Sequence, residues 1–397
     1  MAPLKRCTYL QLGSFLLIII ALFFVIRYIP FTNMIARNRL PKPFWEPLEA
    51  DLAQTRQVRR IQNLLHAKER SVKQELMNYP WPSGMNSSWV IPKYGGNPIR
   101  AMILTTWRSG STFLGDVLKS HPATYYHYEP LIHFGIHQIR SGPKAHRAQE
   151  TLEKLLKCNY SNLDAYFTYA QKHHETFAHN ERVWNSCQRG KEQSCWNPQF
   201  WGSMCKLFPF QVIKTVRVRA NLIERFLEQS KSLNLRILLL VRDPRGTMQS
   251  RTHRVWCPGN PDCEDPAMLC SDLVNDYKTA QHLTKRYPDS FRVIRYEDFA
   301  ANPEVHSKEI LKFVGFQSHA KIDEFLKSHT NANIGGVSST FRDSKTAPYH
   351  WKKDLSFDVI QTIQGKCQDA LNLWGYRTYA NESQLLNLHS VMPFVLK

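Results

Sequence analysis

Apolar and polar positions fall into distinct blocks along the chain. Leu12 to Ile26 contains no charge, and extended back to Tyr9 the run is slightly short of the ~20 residues of a spanning helix. Lys5 and Arg6 precede it. Arg27, Tyr28, Ile29 and Pro30 follow in place of a small-x-small cleavage site, so the pattern predicts an uncleaved signal anchor over residues 9–29, behind a tail of residues 1–8. The short span suits a thin early-secretory membrane. Beyond it, Pro41, Pro43 and Pro47 mark a spacer. Val58, Ile61, Leu65, Val72 and Leu76 then recur at helical intervals across Asp51 to Met77, predicting either a short dimerising stem or a helix packed on its own domain.

From Ile99 onward the period changes. Short apolar runs at Ala101–Thr106, Phe210–Val216, Arg236–Val241 and Phe291–Tyr296 read as strands, and helical segments lie between them. Asn302 and Pro303 supply an N-cap and first helical residue for a helix that Gly315 closes, and Ser356 to Leu373 reads as a long amphipathic helix. This alternation predicts an α/β architecture with a parallel sheet covered on both faces. The segments Pro143–Gln199 and Cys257–Cys270 match no recognisable pattern.

Charge and cysteine usage narrow the setting. Fifty-two Lys and Arg against 33 Asp and Glu give 397 residues a formal charge of +19. That balance draws anionic partners. The basic residues are dispersed, with no zinc-finger or RNP-type motif, which argues against nucleic acid. The positive-inside rule does not orient the anchor, because Arg27, Arg37, Arg39 and Lys42 crowd its second flank. Sequons at Asn86, Asn159 and Asn381 and eight cysteines after the anchor point to a luminal, disulfide-forming domain. The pairing is not readable from spacing.

Two basic turns carry the candidate chemistry. Thr105, Thr106, Trp107, Arg108, Ser109, Gly110, Ser111 and Thr112 link a strand to a helix. Backbone N–H groups, hydroxyls and one guanidinium there make an anion cradle. It has one Gly and lacks the Lys of a G-x-x-x-x-G-K-[ST] loop, which weighs against a kinase reading. After the Arg236–Val241 strand come Arg242, Asp243, Pro244, Arg245, Gly246, Thr247, Met248, Gln249 and Ser250. Arg242 and Ser250 are placed to grip a second phosphate at a strand end. Two anion sites suit a nucleotide with phosphates at both ends of its ribose.

These two loops resemble the 5′-phosphosulfate and 3′-phosphate motifs of the sulfotransferases that use 3′-phosphoadenosine-5′-phosphosulfate (PAPS). More narrowly, His121-Pro122, Tyr128 to Leu131, Ile213 to Arg217, Arg295 to Phe299 and Asn302-Pro303 make the chain similar to the Golgi carbohydrate 6-O-sulfotransferases acting on N-acetylglucosamine, galactose or N-acetylgalactosamine. The resemblance covers roughly Pro98 to Tyr376. It implies a P-loop-like central parallel sheet flanked by helices, with an N-terminal transmembrane helix, a luminal stem over 30–97, a catalytic domain over 98–380 and a tail over 381–397. It also implies a type II Golgi membrane protein with PAPS as sulfuryl donor, a glycan acceptor and no metal.

In that reaction a neutral sugar hydroxyl needs a base, and Glu129, about nine residues past the first helix, is the candidate that takes its proton. Arg108 and Lys214 are expected to stabilise charge on the leaving phosphate. Asp116 and Glu297 are weaker candidates for the base. Ser338 to Trp351 resembles a loop that closes over the donor, with Arg342 and Lys345 as contacts, and Lys352 stands where the family carries an Arg. His174, Glu175 and His179 miss the spacing of a zinc helix by one residue. A fold that binds glycans without catalysis is the other alternative; the intact Arg108, Ser111, Arg242 and Ser250 argue against it.

Overall fold

The computed structural model describes residues 46–396 apart from 332, 337 and 338, with side chains from residue 54 onward. The predicted tail, anchor and first part of the stem lie outside the described residues, as does Ser338. Among those described, no helix is long and apolar enough to cross a membrane.

Five strands form one parallel sheet: β1 (Ile99–Leu104), β2 (Thr124–Tyr128), β3 (Phe210–Thr215), β4 (Leu235–Val241) and β5 (Phe291–Arg295), in the order β2-β3-β1-β4-β5. All six residues of β1 are buried, as expected of a central strand covered on both faces. The chain crosses from β1 past β3 to β2, then returns past β1 to β4, so the direction of winding reverses around β1. Such a reversal opens a crevice at the carboxyl ends of the strands, where open α/β sheets bind ligands.

The helices follow from ordinary caps. The first, α1 (Glu46–Glu75), is succeeded by α2 (Ser111–Ser120), α3 (Gly142–Leu156), α4 (Pro244–Thr252), α5 (Pro266–Arg286), α6 (Tyr296–Ala301), α7 (Pro303–Val314), α8 (Ala320–His329) and α9 (Phe357–Leu373). Asn302 caps α7, Gly315 ends it at φ 84°, and Ser356 caps α9. From Arg60 onward the predicted stem belongs to the same compact unit as the sheet. Val72 and Leu76 are buried in its core, and Glu75 Oε2 accepts from the Ala123 N–H at 2.8 Å and from Arg182 at 3.1 Å. Of the helical seam read from the sequence, its last two members are therefore core residues of this domain, while Val58 stays half exposed.

β2 was not among the strands expected from the sequence. Its residues Thr124 to Tyr128 are polar and aromatic rather than aliphatic, and burial comes from packing at the sheet edge, not from an apolar run. All eight cysteines after the anchor pair: Cys158–Cys205, Cys187–Cys195, Cys257–Cys263 and Cys270–Cys367. Cys187–Cys195 lies within the unplaced Pro143–Gln199 region, Cys158–Cys205 ties that region to the end of the helix Pro198–Cys205 before β3, and the last joins α5 to α9. Asn86, Asn159 and Asn381 are all exposed.

Candidate active site

The loop between β1 and α2 is held by its own hydroxyls. Thr105 Oγ1 donates to the Leu240 carbonyl (2.6 Å) and lies 2.7 Å from Ser109 Oγ, so the exits of β1 and β4 are tied together. Arg108 at φ 66° and Gly110 at φ 87° both take left-handed backbone. At Gly110 a Cβ would lie 2.3 Å from the Tyr296 ring, so glycine is required for space as well as for conformation. The turn delivers the start of α2 to a cleft of about 970 Å³, lined here by Trp107, Arg108, Gly110, Ser111 and Thr112.

The second loop meets the first directly. Arg108 Nε donates to Ser250 Oγ (2.9 Å), Arg242 Nη1 donates to the Arg108 carbonyl (2.9 Å), and Arg251 Nη2 donates to Thr106 Oγ1 (2.8 Å). Arg242, Gln249 and Ser250 line the cleft. Burial, then the neighbouring Arg254 and Arg242, lower Arg108 to about 10. Arg242 Nε and Trp107 Nε1 are buried with no hydrogen-bond partner among the described residues. Crowded cations with donors left over are the conditions that an anion relieves.

The rest of the second motif builds the platform beneath. Asp243, 1% exposed, caps α4 through the Arg245 N–H (2.9 Å) and pairs with the Arg245 guanidinium at 2.7 Å. Arg245 is fully buried, donates to Gln364 and the Arg377 carbonyl, and lies against the Trp351 ring. Asp243, Pro244, Arg245, Gly246, Thr247 and Met248 are absent from the cleft lining, as are Thr106 and Ser109 of the first loop. Gly246 sits where a Cβ would meet Trp351 at 3.0 Å. The basic character that marks this stretch in the sequence is thus divided between one residue facing the cleft, Arg242, and one buried ion pair.

Glu129 follows β2 with φ 40°, a strained conformation for a residue with a Cβ. Its backbone N–H donates to the Lys214 carbonyl (2.9 Å), and its carboxylate accepts from Lys214 Nζ (2.7 Å) and Arg217 Nη1 (2.8 Å). Burial would raise this carboxyl, but Lys214 and then Arg217 outweigh it and hold the group at about 2. Lys214, 1% exposed on the interior strand β3, lies 4.0 Å from the Tyr128 ring centre, and burial opposed by Glu129 leaves it raised. Its β3 position explains why it is no snorkelling edge residue. Lys214, Arg217 and Glu129 all line the cleft, whereas Asp116 and Glu297 do not. Arg219 is committed to a buried pair with Asp276.

Gly335, Gly336, Ser339, Arg342 and His350 also line the cleft, while Lys345 is exposed and does not. Lys352 Nζ turns to the Leu385 and Leu388 carbonyls, both at 2.8 Å. Two features escaped the sequence reading: the Lys214–Glu129–Arg217 triad as a unit, and His253, Arg254 and Trp256, which reach the cleft from the segment after α4. The triad has no spacing signal: Lys214 and Arg217 stand three positions apart, which an ideal strand would point to opposite faces, and Glu129 lies 85 positions before Lys214. The second group has no sequence signal, because a loop's path is set by tertiary anchors.

The Sulfotransferase family is matched by residues 100–320. Carbohydrate sulfotransferase 1 of Homo sapiens is 28% identical over 337 residues, covering 72% of this chain and 81% of that protein. Carbohydrate sulfotransferase 5 of Mus musculus is 26% identical over 340 residues, covering 75% and 86%. Among solved structures, retinol dehydratase in complex with retinol and PAP aligns with a TM-score of 0.38 and 14% identity, over 69% of this chain and 82% of that one. The matched residues take in more than half of the sequence and both basic loops, Glu129, Lys214 and all of the parallel sheet except its first residue, Ile99, and the chain belongs to the Sulfotransferase family.

Proposed function

We propose that the chain moves a sulfuryl group from PAPS to a sugar hydroxyl, the 6-hydroxyl of N-acetylglucosamine, galactose or N-acetylgalactosamine in a glycan, as a type II enzyme of the Golgi lumen. The observation that carries this reading is the joining of two anion-seeking loops, through Arg108, Ser250 and Arg242, beside a buried carboxylate–lysine pair in one cleft. The relatives named above are carbohydrate sulfotransferases, and four disulfides among the described residues suit an oxidising compartment. The donor supplies an activated sulfur whose bond to the 5′-phosphate oxygen breaks as the sugar oxygen bonds to it, and the bisphosphate leaves with the electron pair.

The chain's residues act around that event. The backbone N–H groups of Gly110, Ser111 and Thr112 at the start of α2, with Arg108, hold the 5′ end, and Arg242 with Ser250 holds the 3′-phosphate. Lys214 meets the charge that develops on the leaving phosphate oxygen. Glu129 takes the hydroxyl proton. Held at about 2 by two cations, it is a weak base in the structure described. When Lys214 turns toward the leaving group, Glu129 loses its larger stabilising partner and its basicity rises, so donor engagement and base activation are coupled.

The test is transfer of labelled PAPS sulfur by the fragment from about Pro30, expressed through a secretory host, to glycans ending in each of the three sugars, followed by mapping of the sulfated position. Transfer to a 6-hydroxyl supports the full reading. Folded protein that does not bind the bisphosphate product overturns it.

A further inference from the structure

The segment between α4 and α5, residues 253–265, is a short cross-linked loop. Cys257 and Cys263 close it over a separation of 6 residues. It is fastened at several points. Arg251 Nη1 donates to the Cys263 carbonyl (2.8 Å), the Asp262 carboxylate accepts from Arg140 Nη2 and the Gln138 N–H (both 2.7 Å), and Asn260 Nδ2 donates to the Trp256 carbonyl (2.9 Å). The loop carries His253, Arg254 and Trp256 to the cleft. The Trp256 ring meets the Trp107 ring edge-on, with centres 6.2 Å apart at 60°. Trp107 itself is buried in the anion loop, so Trp256 extends its aromatic surface outward into the cleft, where it stays partly exposed.

A partly exposed indole on a cross-linked, many-times-anchored loop is a rigid apolar plane. Its binding role costs little ordering, because the loop is already fixed. The donor-facing groups, Arg108, Ser250 and Arg242, are polar, and a pyranose ring is a ligand that offers both hydroxyls and an apolar C–H face. We infer that Trp256 is the stacking platform for the acceptor sugar: the apolar face of a pyranose lies on its indole, and the hydroxyl to be sulfated is thereby presented to Glu129. This rests on reading the cleft as a sulfuryl-transfer site and adds to it the residue that positions the acceptor. The disulfide keeps the plane in register with the anion loop.

The experiment measures steady-state transfer by the full-length enzyme to glycans ending in galactose, N-acetylglucosamine or N-acetylgalactosamine, together with calorimetric binding of PAP. Trp256→Ala is expected to raise the acceptor KM about tenfold, from the loss of one stacking contact. PAP affinity stays at the wild-type level, and Trp256→Phe recovers most of the acceptor KM. Trp256→Leu, which preserves bulk without the ring, replaces the alanine variant should the latter not fold, and is expected to behave like it. An unchanged acceptor KM in the alanine or leucine variant overturns the platform alone. So does a matching loss of PAP affinity, which would move Trp256 to the donor. Wild-type enzyme that sulfates none of the three glycans overturns the underlying reaction and the platform with it.

Discussion

Arg108 Nε donates to Ser250 Oγ across 2.9 Å, although 142 positions separate the two residues. The contact joins the loop after β1 to the helix after β4, and each loop is shaped by the other. Removing the guanidinium removes both a ligand for an anion and a strut between the loops. Arg108→Ala is therefore expected to weaken PAP binding by about 10- to 100-fold, the worth of a charge-assisted hydrogen bond, and Ser250→Ala by less. Calorimetric titration with PAP measures both, and undiminished affinity in Arg108→Ala would remove that residue from the donor site.

Glu129→Gln is expected to lower kcat by about 10²- to 10⁴-fold, the usual contribution of a positioned base, with PAP affinity retained. The same residue has a signature in stability. Its folded-state value of about 2 lies below the roughly 4.3 of an unfolded glutamate. A depressed carboxyl adds stability above its unfolded value and loses it as pH falls toward the folded one. Melting temperature should decline between about pH 5 and pH 2 in the wild type, and less steeply in Glu129→Gln.

Glu297 gives the opposite slope. Burial and then Asp243 raise it to about 7, while it accepts from the Asp243 N–H and the Tyr376 hydroxyl, both at 2.9 Å. A raised carboxyl contributes fully below its unfolded value and loses that contribution as pH climbs through the folded one. Glu297→Gln keeps the shape and the neutral state. Its melting temperature relative to wild type should improve between about pH 4 and about pH 7 and level off above that, and a flat difference over the whole range would refute the assignment of a buried, easily neutralised carboxyl.

Arg245→Met separates structure from ligand binding within one motif. It leaves Asp243 buried without its partner, at a cost of about 3–5 kcal/mol. Thermal denaturation should show the loss, while PAP affinity of the folded fraction stays near that of the wild type, since Arg245 does not line the cleft.

Serine replacement of Cys270 and Cys367 together releases a loop spanning a separation of 97 residues. On loop-entropy grounds the cost is roughly 4–5 kcal/mol. The shorter Cys257–Cys263 link restrains the unfolded chain less, so its removal should move the denaturation midpoint by a smaller amount.

Four of the five strands and the main caps were legible because each depends on local chemistry. Aliphatic runs such as Ile237 to Val241 have no soluble alternative, and Asn302, Pro303, Gly315 and Ser356 act within one helical turn of themselves. β2 was not legible, because Tyr125 and His127 are buried by distant neighbours, Phe208 and Tyr160 among them. At the site, Arg108, Arg242 and Ser250 could be read from strand–turn–helix context. Arg245 could not be told from Arg242 by sequence, since the difference lies in Gln364, Arg377 and Trp351, more than a hundred positions downstream. Trp256 was invisible for the same reason: its place depends on Asp262 meeting Arg140.

The Cys270–Cys367 bond has a consequence for a chain that is cut. It encloses β5, α6, α7, α8 and the cleft rim at Gly335 and Gly336, both exposed. One protease nick at that rim would yield two fragments that still travel as a single molecule and part only when a reductant is added. Intact mobility on a non-reducing gel is therefore no evidence of an intact polypeptide, and preparations of this protein need to be judged under reducing conditions.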